Sequence, residues 1–315
     1  MDDGSEPRAA SWRVVHFTDY GAQIVPLVQG ELERQGHRLV GVVTGPGPRR
    51  RRNDKYLDVV RDVPRGIDVL VTTHMGRLAA MLEPLRPDLI LVSGFFWRVP
   101  PDVLQLPPLG VINMHGGLLP DWRGPNAWGW AFRVGDPALG QTVHRMDEGF
   151  DTGPILARSV VPIGDDDDID TLLPRVVATL PEVLAQAFVR VAAGDPGDPQ
   201  DESRAGYAPL FTDDWREIDW ARPARAVHNQ VRSWTGARGT PRGAFGVIDG
   251  QRVLVTKTRL VSDPASGPAA AGASLHCDDG TLLVGCGDGP LEIVAWASAS
   301  TDQRALPGVS TAPAP

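Results

Sequence analysis

Two patterns in the chain predict an α/β fold followed by a small β domain. Through the first two thirds, short apolar runs alternate with segments of helical spacing. Parallel strands need helical crossovers, so this alternation predicts a mostly parallel sheet with helices on its faces. In the last third, brief β-like runs are punctuated by glycine and aspartate, the pattern of a small β-barrel. Between the two patterns, residues 193–206 are rich in Pro, Gly and Asp and read as a linker.

The elements follow in order. Residues 1–10 form a polar leader, expected to be loose. The apolar run 12–17 is a first strand. Residues 22–35 are a helix, with Val25, Val28 and Leu32 on one face and Gly36 closing it. Residues 39–43, 67–72 and 88–93 are the next strands, with a helical segment around 78–82. The run 109–112 is a buried strand. Residues 125–134 form a helix with proline in its first turn, and 141–146 another strand. Asp168 or Asp170 caps one long helix over 171–191, kinked or broken at Pro181. Beyond the linker, Val227, Val231 and Trp234 share a helix face, and strands are expected at 244–248, 252–257, 282–285 and 291–295. The expected domains are therefore 1–10 (leader), 11–193 (α/β, catalytic), 194–206 (linker), 207–300 (β) and 301–315 (disordered tail).

Composition narrows the function. The 315 residues carry a net charge of −8, which argues against broad, nonspecific affinity for nucleic acid while allowing a local basic patch. Cys277 and Cys286 are the two cysteines, expected to be reduced and packing. No apolar run has transmembrane length and no basic segment precedes a hydrophobic one, so the expectation is a cytoplasmic protein without a membrane partner.

The most informative stretch is 110–124, Gly-Val-Ile-Asn-Met-His-Gly-Gly-Leu-Leu-Pro-Asp-Trp-Arg-Gly. Alternation along a strand puts Asn113 and His115 on one side of the sheet, where the strand opens into a Gly-rich loop. That is where ligands meet open α/β sheets. Downstream, His144-Arg-Met-Asp147-Glu-Gly149-Phe-Asp151-Thr-Gly153 brings carboxylates on a second glycine-punctuated turn. An amide, an imidazole and a carboxylate suit acyl transfer without a covalent enzyme intermediate, and no Gly-x-Ser-x-Gly is present. Taken singly, Asn113 also suits a turn and His115 a loop histidine. His144 is expected to pack or support its loop. The remaining histidines lack ligand spacing, so no metal is expected.

Asn113-x-His115, Leu118-Leu119-Pro120, Arg123-Gly124 and the run Gly140-x-Thr142-x-His144-x-Met146-Asp147-x-Gly149-x-Asp151-x-Gly153 resemble the formyltransferases that use 10-formyltetrahydrofolate. Residues 207–220, ending Glu-Ile-Asp-Trp, resemble the entry to the C-terminal domain of the tRNA and sugar-nucleotide enzymes of that family. The resemblance implies a Rossmann-like catalytic domain, an OB-like C-terminal barrel and 10-formyltetrahydrofolate as donor. It makes Asn113, His115 and Asp151 catalytic. It places the folate against Phe95, Phe96, Trp97, Arg98 and Val99, against Leu118, Leu119 and Pro120, and against Asp147, Glu148 and Gly149.

For the acceptor amine, the same comparison points to Tyr20, Arg49, Arg50, Arg51, Arg52, Arg123 and Asn126. Three departures bear on it. Thr18-Asp19-Tyr20-Gly21-Ala22 replaces the Gly-Thr-Pro-x-Phe-Ala stretch of the tRNA enzymes, Gly117 replaces a serine, and the basic loop is shortened to 45–55. These departures favour a small-molecule amine acceptor. Formylation of initiator methionyl-tRNA is the alternative, and hydrolysis of formyltetrahydrofolate a further one. A nucleic-acid-binding protein with a decayed catalytic domain is disfavoured by the intact Asn113, His115 and Asp151. The sequence is silent on oligomeric state.

Overall fold

The computed structural model describes residues 11–20, 24–47, 55–234, 243–262 and 270–299. The leader, the tail and Arg49 to Arg52 lie outside the described residues. The described residues fall into two compact units, one drawn from 1–115, 141–159 and 179–203, the other from 116–140, 160–178 and 204–315. This division crosses the linear boundaries at 193 and 207, because 116–140 and 160–178 belong with the C-terminal residues.

The first unit is organised by a parallel sheet. Strands β1 (Arg13–Thr18), β2 (Arg38–Thr44), β3 (Asp68–Val71), β4 (Leu89–Ser93), β5 (Val111–His115), β6 (Ala138–Arg145) and β7 (Ile155–Pro162) stand in the order β3-β2-β1-β4-β5-β6-β7. Pairs from β3 through β5 are parallel, and β6 runs antiparallel to β5. Every residue of β4 is buried, as a strand covered on both faces requires. Helices α1 (Ile24–Arg34), α2 (Lys55–Asp62), α3 (Leu78–Leu82) and α4 (Pro101–Leu104) connect the strands. The strand order reverses between β1 and β4, so the loops leaving Thr18 and Ser93 frame a crevice at the carboxyl ends of the strands.

Strand β7 is an addition to the sequence reading, where Arg158 and Ser159 interrupt its apolar pattern. The long helix expected to kink or break at Pro181 is broken, two residues earlier. In α6 (Ile169–Ala178) and α7 (Leu180–Ala192) the chain ends and restarts at Thr179, with Pro181 in the first turn of α7, where its missing N–H costs nothing. Among the described residues, no single helix is long and apolar enough to cross a membrane.

The second unit contains α5 (Ala127–Val134), α8 (Ala224–Ser233) and a five-stranded antiparallel sheet. Its strands are β8 (Ala244–Ile248), β9 (Gln251–Leu260), β10 (Ser274–His276), β11 (Leu282–Cys286) and β12 (Gly289–Ser298), ordered β10-β11-β12-β9-β8. Val227, Val231 and Trp234 sit in one core cluster with Val255, Val284 and Leu291, so the predicted helix face is the face that packs. Asp249 and Gly250, both at positive φ, make the β8–β9 turn. Cys277 and Cys286 are free thiols, and burial pushes Cys286 up to about 12.

Beneath the crevice of the first unit lies His16, fully buried, with Nε2 2.8 Å from Ser93 Oγ. Burial lowers its pKa from 6.5 to about 3, so the folded chain holds it neutral. An unfolded chain protonates this ring below pH 6.5 while the folded chain does not, so His16 makes stability fall as pH drops from 6.5 toward 3. In His16→Gln, denaturant unfolding measured between pH 7 and 4 should show a pH slope smaller by about one proton.

Candidate active site

The pairing of β5 with β6 assembles the site. In their register, Asn113 lies opposite His144 and His115 opposite Thr142. Residues directly opposite in an antiparallel pair share a face, and so do Asn113 and His115 at i and i+2. Asn113 Nδ2 is 3.1 Å from His144 Nε2 and donates to Asp151 Oδ1 at 3.2 Å. His115 Nδ1 is 3.4 Å from Asp151 Oδ2. The three residues thus meet within hydrogen-bond reach or just beyond it, with His115 buried and Asp151 17% exposed.

Hydrogen-bond chemistry orients the rings. His144 Nδ1 is 2.8 Å from the Arg145 carbonyl, which can only accept, so Nδ1 carries the hydrogen and Nε2 accepts from the Asn113 amide. The amide nitrogen of Asn113 is thereby aimed at both His144 and Asp151. On His115, a hydrogen on Nδ1 facing the carboxylate leaves the basic lone pair on Nε2. This is a base with an orienting carboxylate, the arrangement that general-base catalysis needs.

The loop 146–154 that carries Asp151 is shaped by its neighbours. Asp147 Oδ1 accepts from Gly149 N at 2.9 Å and Thr152 Oγ1 at 2.6 Å, closing a tight turn. A Cβ on Gly153 would stand 1.9 Å from the Arg145 carbonyl oxygen, so that position is closed to any side chain. Asp151 itself has φ 56°, in the left-handed region that a non-glycine residue enters at a cost.

In the segment after β4, alternate residues have different surroundings. Phe95 and Val99 pack into the core, Phe95 edge-on to Phe17 at 5.3 Å, and the Trp97 indole nitrogen is buried without a partner. Phe96 and Arg98 are exposed. Arg98 donates to the Glu148 carbonyl and lies 5.6 Å from the Phe150 ring centroid, which joins this segment to the Asp151 loop. Of the residues expected to touch a folate, Phe95 and Val99 pack against the core, while Phe96, Arg98, Asp147, Glu148 and Gly149 are exposed.

Asp19 entered the sequence reading only as part of the altered 18–22 stretch, with no role of its own. It is fully buried and accepts from Thr44 Oγ1 (3.0 Å), Gly45 N (3.3 Å) and Phe96 N (3.3 Å), bolting together the ends of β1, β2 and β4. The neighbouring Tyr20 ring rests on Gly94, where a Cβ would come within 1.6 Å of it.

In the second unit, Leu119 and Pro120 are buried and Leu118 partly so. Arg123 is buried, its backbone bonded to Gly206 and Ala208, and Asn126 N donates to Ala208 O at 3.1 Å. Arg49 to Arg52 lie outside the described residues.

Residues 70–188 match the formyl transferase family and residues 211–302 the formyl transferase C-terminal domain family. Over 275 residues the chain is 36% identical to the methionyl-tRNA formyltransferase of Pelobacter propionicus, covering 85% of this chain and 83% of the relative. It is 34% identical over 269 residues to the enzyme of the same name from Anaeromyxobacter dehalogenans, covering 84% and 85%. The crystal structure of HypX from Aquifex aeolicus in complex with tetrahydrofolic acid shares the fold, with a TM-score of 0.63 at 19% identity over 92% of this chain and 45% of that one.

These relatives overturn the expected small-molecule acceptor. That reading rested on the altered 18–22 stretch, on Gly117 and on the short basic loop, yet with those departures the chain still aligns over most of its length with enzymes named for methionyl-tRNA. Local differences beside a site are weaker evidence than agreement across both domains. The chain belongs to the formyltransferase family, and it is an enzyme of that family.

Proposed function

We propose that the chain transfers a formyl group from 10-formyltetrahydrofolate to the amino group of methionine carried on initiator tRNA. The chemistry rests on the Asn113, His115 and Asp151 cluster, and the acceptor on the 34% and 36% identical relatives. The amine attacks the formyl carbon, and His115 Nε2 takes the proton the amine sheds. Asp151 holds the ring and stabilises its charged form. Asn113 turns one N–H from Asp151 to the developing oxyanion while His144 keeps hold of the other. Collapse of the intermediate breaks the bond to N10 of the folate, and His115 returns the proton to that nitrogen. The exposed Phe96 and Arg98, with Glu148 and Gly149, are the residues proposed to meet the donor.

An RNA acceptor also needs cations. The second unit holds a cavity of about 690 Å³ whose lining includes Trp130, Arg133, Trp215 and Arg222. Burial and the neighbouring Arg222 both lower the pKa of Arg133. Glu217 and Arg225, also in the lining, are engaged by Arg252 and Asp165. The lining also carries Asp214 and Asp219, so its formal charges balance, and among the described residues Arg222 forms no ion pair; it is the cation of this cavity proposed to meet a phosphate.

Replacing Asn113, His115 or Asp151 singly by Ala should lower formylation of initiator methionyl-tRNA by about 10²–10³ or more in proteins that still fold. Formyl product and tetrahydrofolate release, scored against free amines, check this. Arg222→Ala should raise KM for the charged tRNA at unchanged kcat and reduce the salt dependence of binding by about one phosphate contact. Steady-state kinetics over a salt series reads that out.

A further inference from the structure

Segment 194–206 has the composition of a linker, but its first half is fastened to the first unit. Asp198 and Ile155 exchange two backbone hydrogen bonds, both 2.8 Å. Arg190 on α7 binds the Asp195 and Asp198 carboxylates and the carbonyls of Ile155 and Leu156. Arg145, at the end of β6, donates to the Asp195 carbonyl from Nε (3.0 Å) and Nη2 (2.7 Å). The chain is therefore anchored two residues before Gln200. From there, Gln200 Nε2 donates to the Asp151 carbonyl and to the Gly153 carbonyl, each at 2.8 Å.

We propose that Gln200 is a positioning residue for the catalytic carboxylate. Its single amide group carries two hydrogens and satisfies two carbonyls two residues apart, one of them on the residue at φ 56°. Those carbonyls flank the turn that aims the Asp151 carboxylate at Asn113 and His115. At the far end of the turn, Arg145 N donates to the Pro154 carbonyl at 2.9 Å, which holds the chain after Gly153 against β6. With that end held and the left-handed backbone of Asp151 bonded to Gln200, the carboxylate is kept facing Asn113 and His115. Without the amide, the loop can relax to a less costly φ and the carboxylate leaves His115. The part assigned to Asp151 rests on the proposed transfer mechanism; the geometric claim does not.

The test compares wild type, Gln200→Met, Asp151→Asn and the double variant. Methionine keeps the volume and removes both donors. Formylation kinetics should show kcat down about tenfold in Gln200→Met, with KM for donor and acceptor little changed. The loss should nearly vanish when Asp151 is already Asn, because the two residues act through one group. Ring-nitrogen NMR of His115 on the substrate-free proteins should show its signals in Gln200→Met moved toward their positions in Asp151→Asn. Gln200→Lys, which keeps a donor, should recover part of kcat, and Gln200→Leu, which also lacks donors, serves the same comparisons should the methionine variant fold poorly. A wild-type kcat with unmoved His115 signals in Gln200→Met would overturn the proposal, as would a full loss persisting in the Asp151→Asn background. If wild type does not formylate the charged tRNA, the acceptor reading falls, and the NMR comparison still decides the role of Gln200.

Discussion

Strand β6 runs against β5 in a sheet that is otherwise parallel from β3 to β5, and the site depends on that one reversal. A parallel neighbour would reach β5 only after a helical crossover and would place its following loop at the same end as every other loop. The antiparallel neighbour sets His144 face to face with Asn113 and sends the next loop, with Asp151, back over His115. An amide, two imidazoles and a carboxylate therefore meet through strand pairing and one short loop. Few side-chain torsions remain to be ordered, which is how a rigid scaffold lowers the entropy cost of assembling a polar site.

Polar groups continue beneath the site. His16, Thr18, Asp19, Thr44 and Ser93 are all buried at or near the carboxyl ends of β1, β2 and β4. Buried polar atoms are costly unless partnered, and most here partner one another, His16 Nε2 with Ser93 and Thr44 with Asp19, while His16 Nδ1 is buried without a partner. Such a network resists deformation, because moving one strand end strands the donors of the next. The second unit is held differently, by an apolar cluster between α8 and the antiparallel sheet, with Trp220 and Trp234 among its largest members.

Much of this was readable in the chain. Continuous apolar runs marked β1, β2, β4 and β5, because strands buried on both faces have no polar alternation to hide them. The spacing of Asn113 and His115 showed which side chains share a face. Strand β7 was invisible because Arg158 and Ser159 break its pattern, and the segment around Gln200 because composition reports backbone freedom, not the partners that remove it. The break in the helix over 171–191 was signalled by Pro181 and falls two residues earlier, at Thr179, because proline is tolerated in a first turn and so opens the second helix. The acceptor was misjudged for a different reason. Recognition of a large substrate is spread over many weak contacts, so a few changed residues next to the chemistry carry little weight.

Asp19 has a consequence for how three strand ends keep their spacing. Its carboxylate ties Thr44 and the first residue after β2, Gly45, to the ends of β1 and β4. One buried charge thus does at this corner what separate side-chain pairs would otherwise have to do strand by strand, and a neutral amide there would keep the shape but turn one of its acceptor positions into a donor facing N–H and O–H groups.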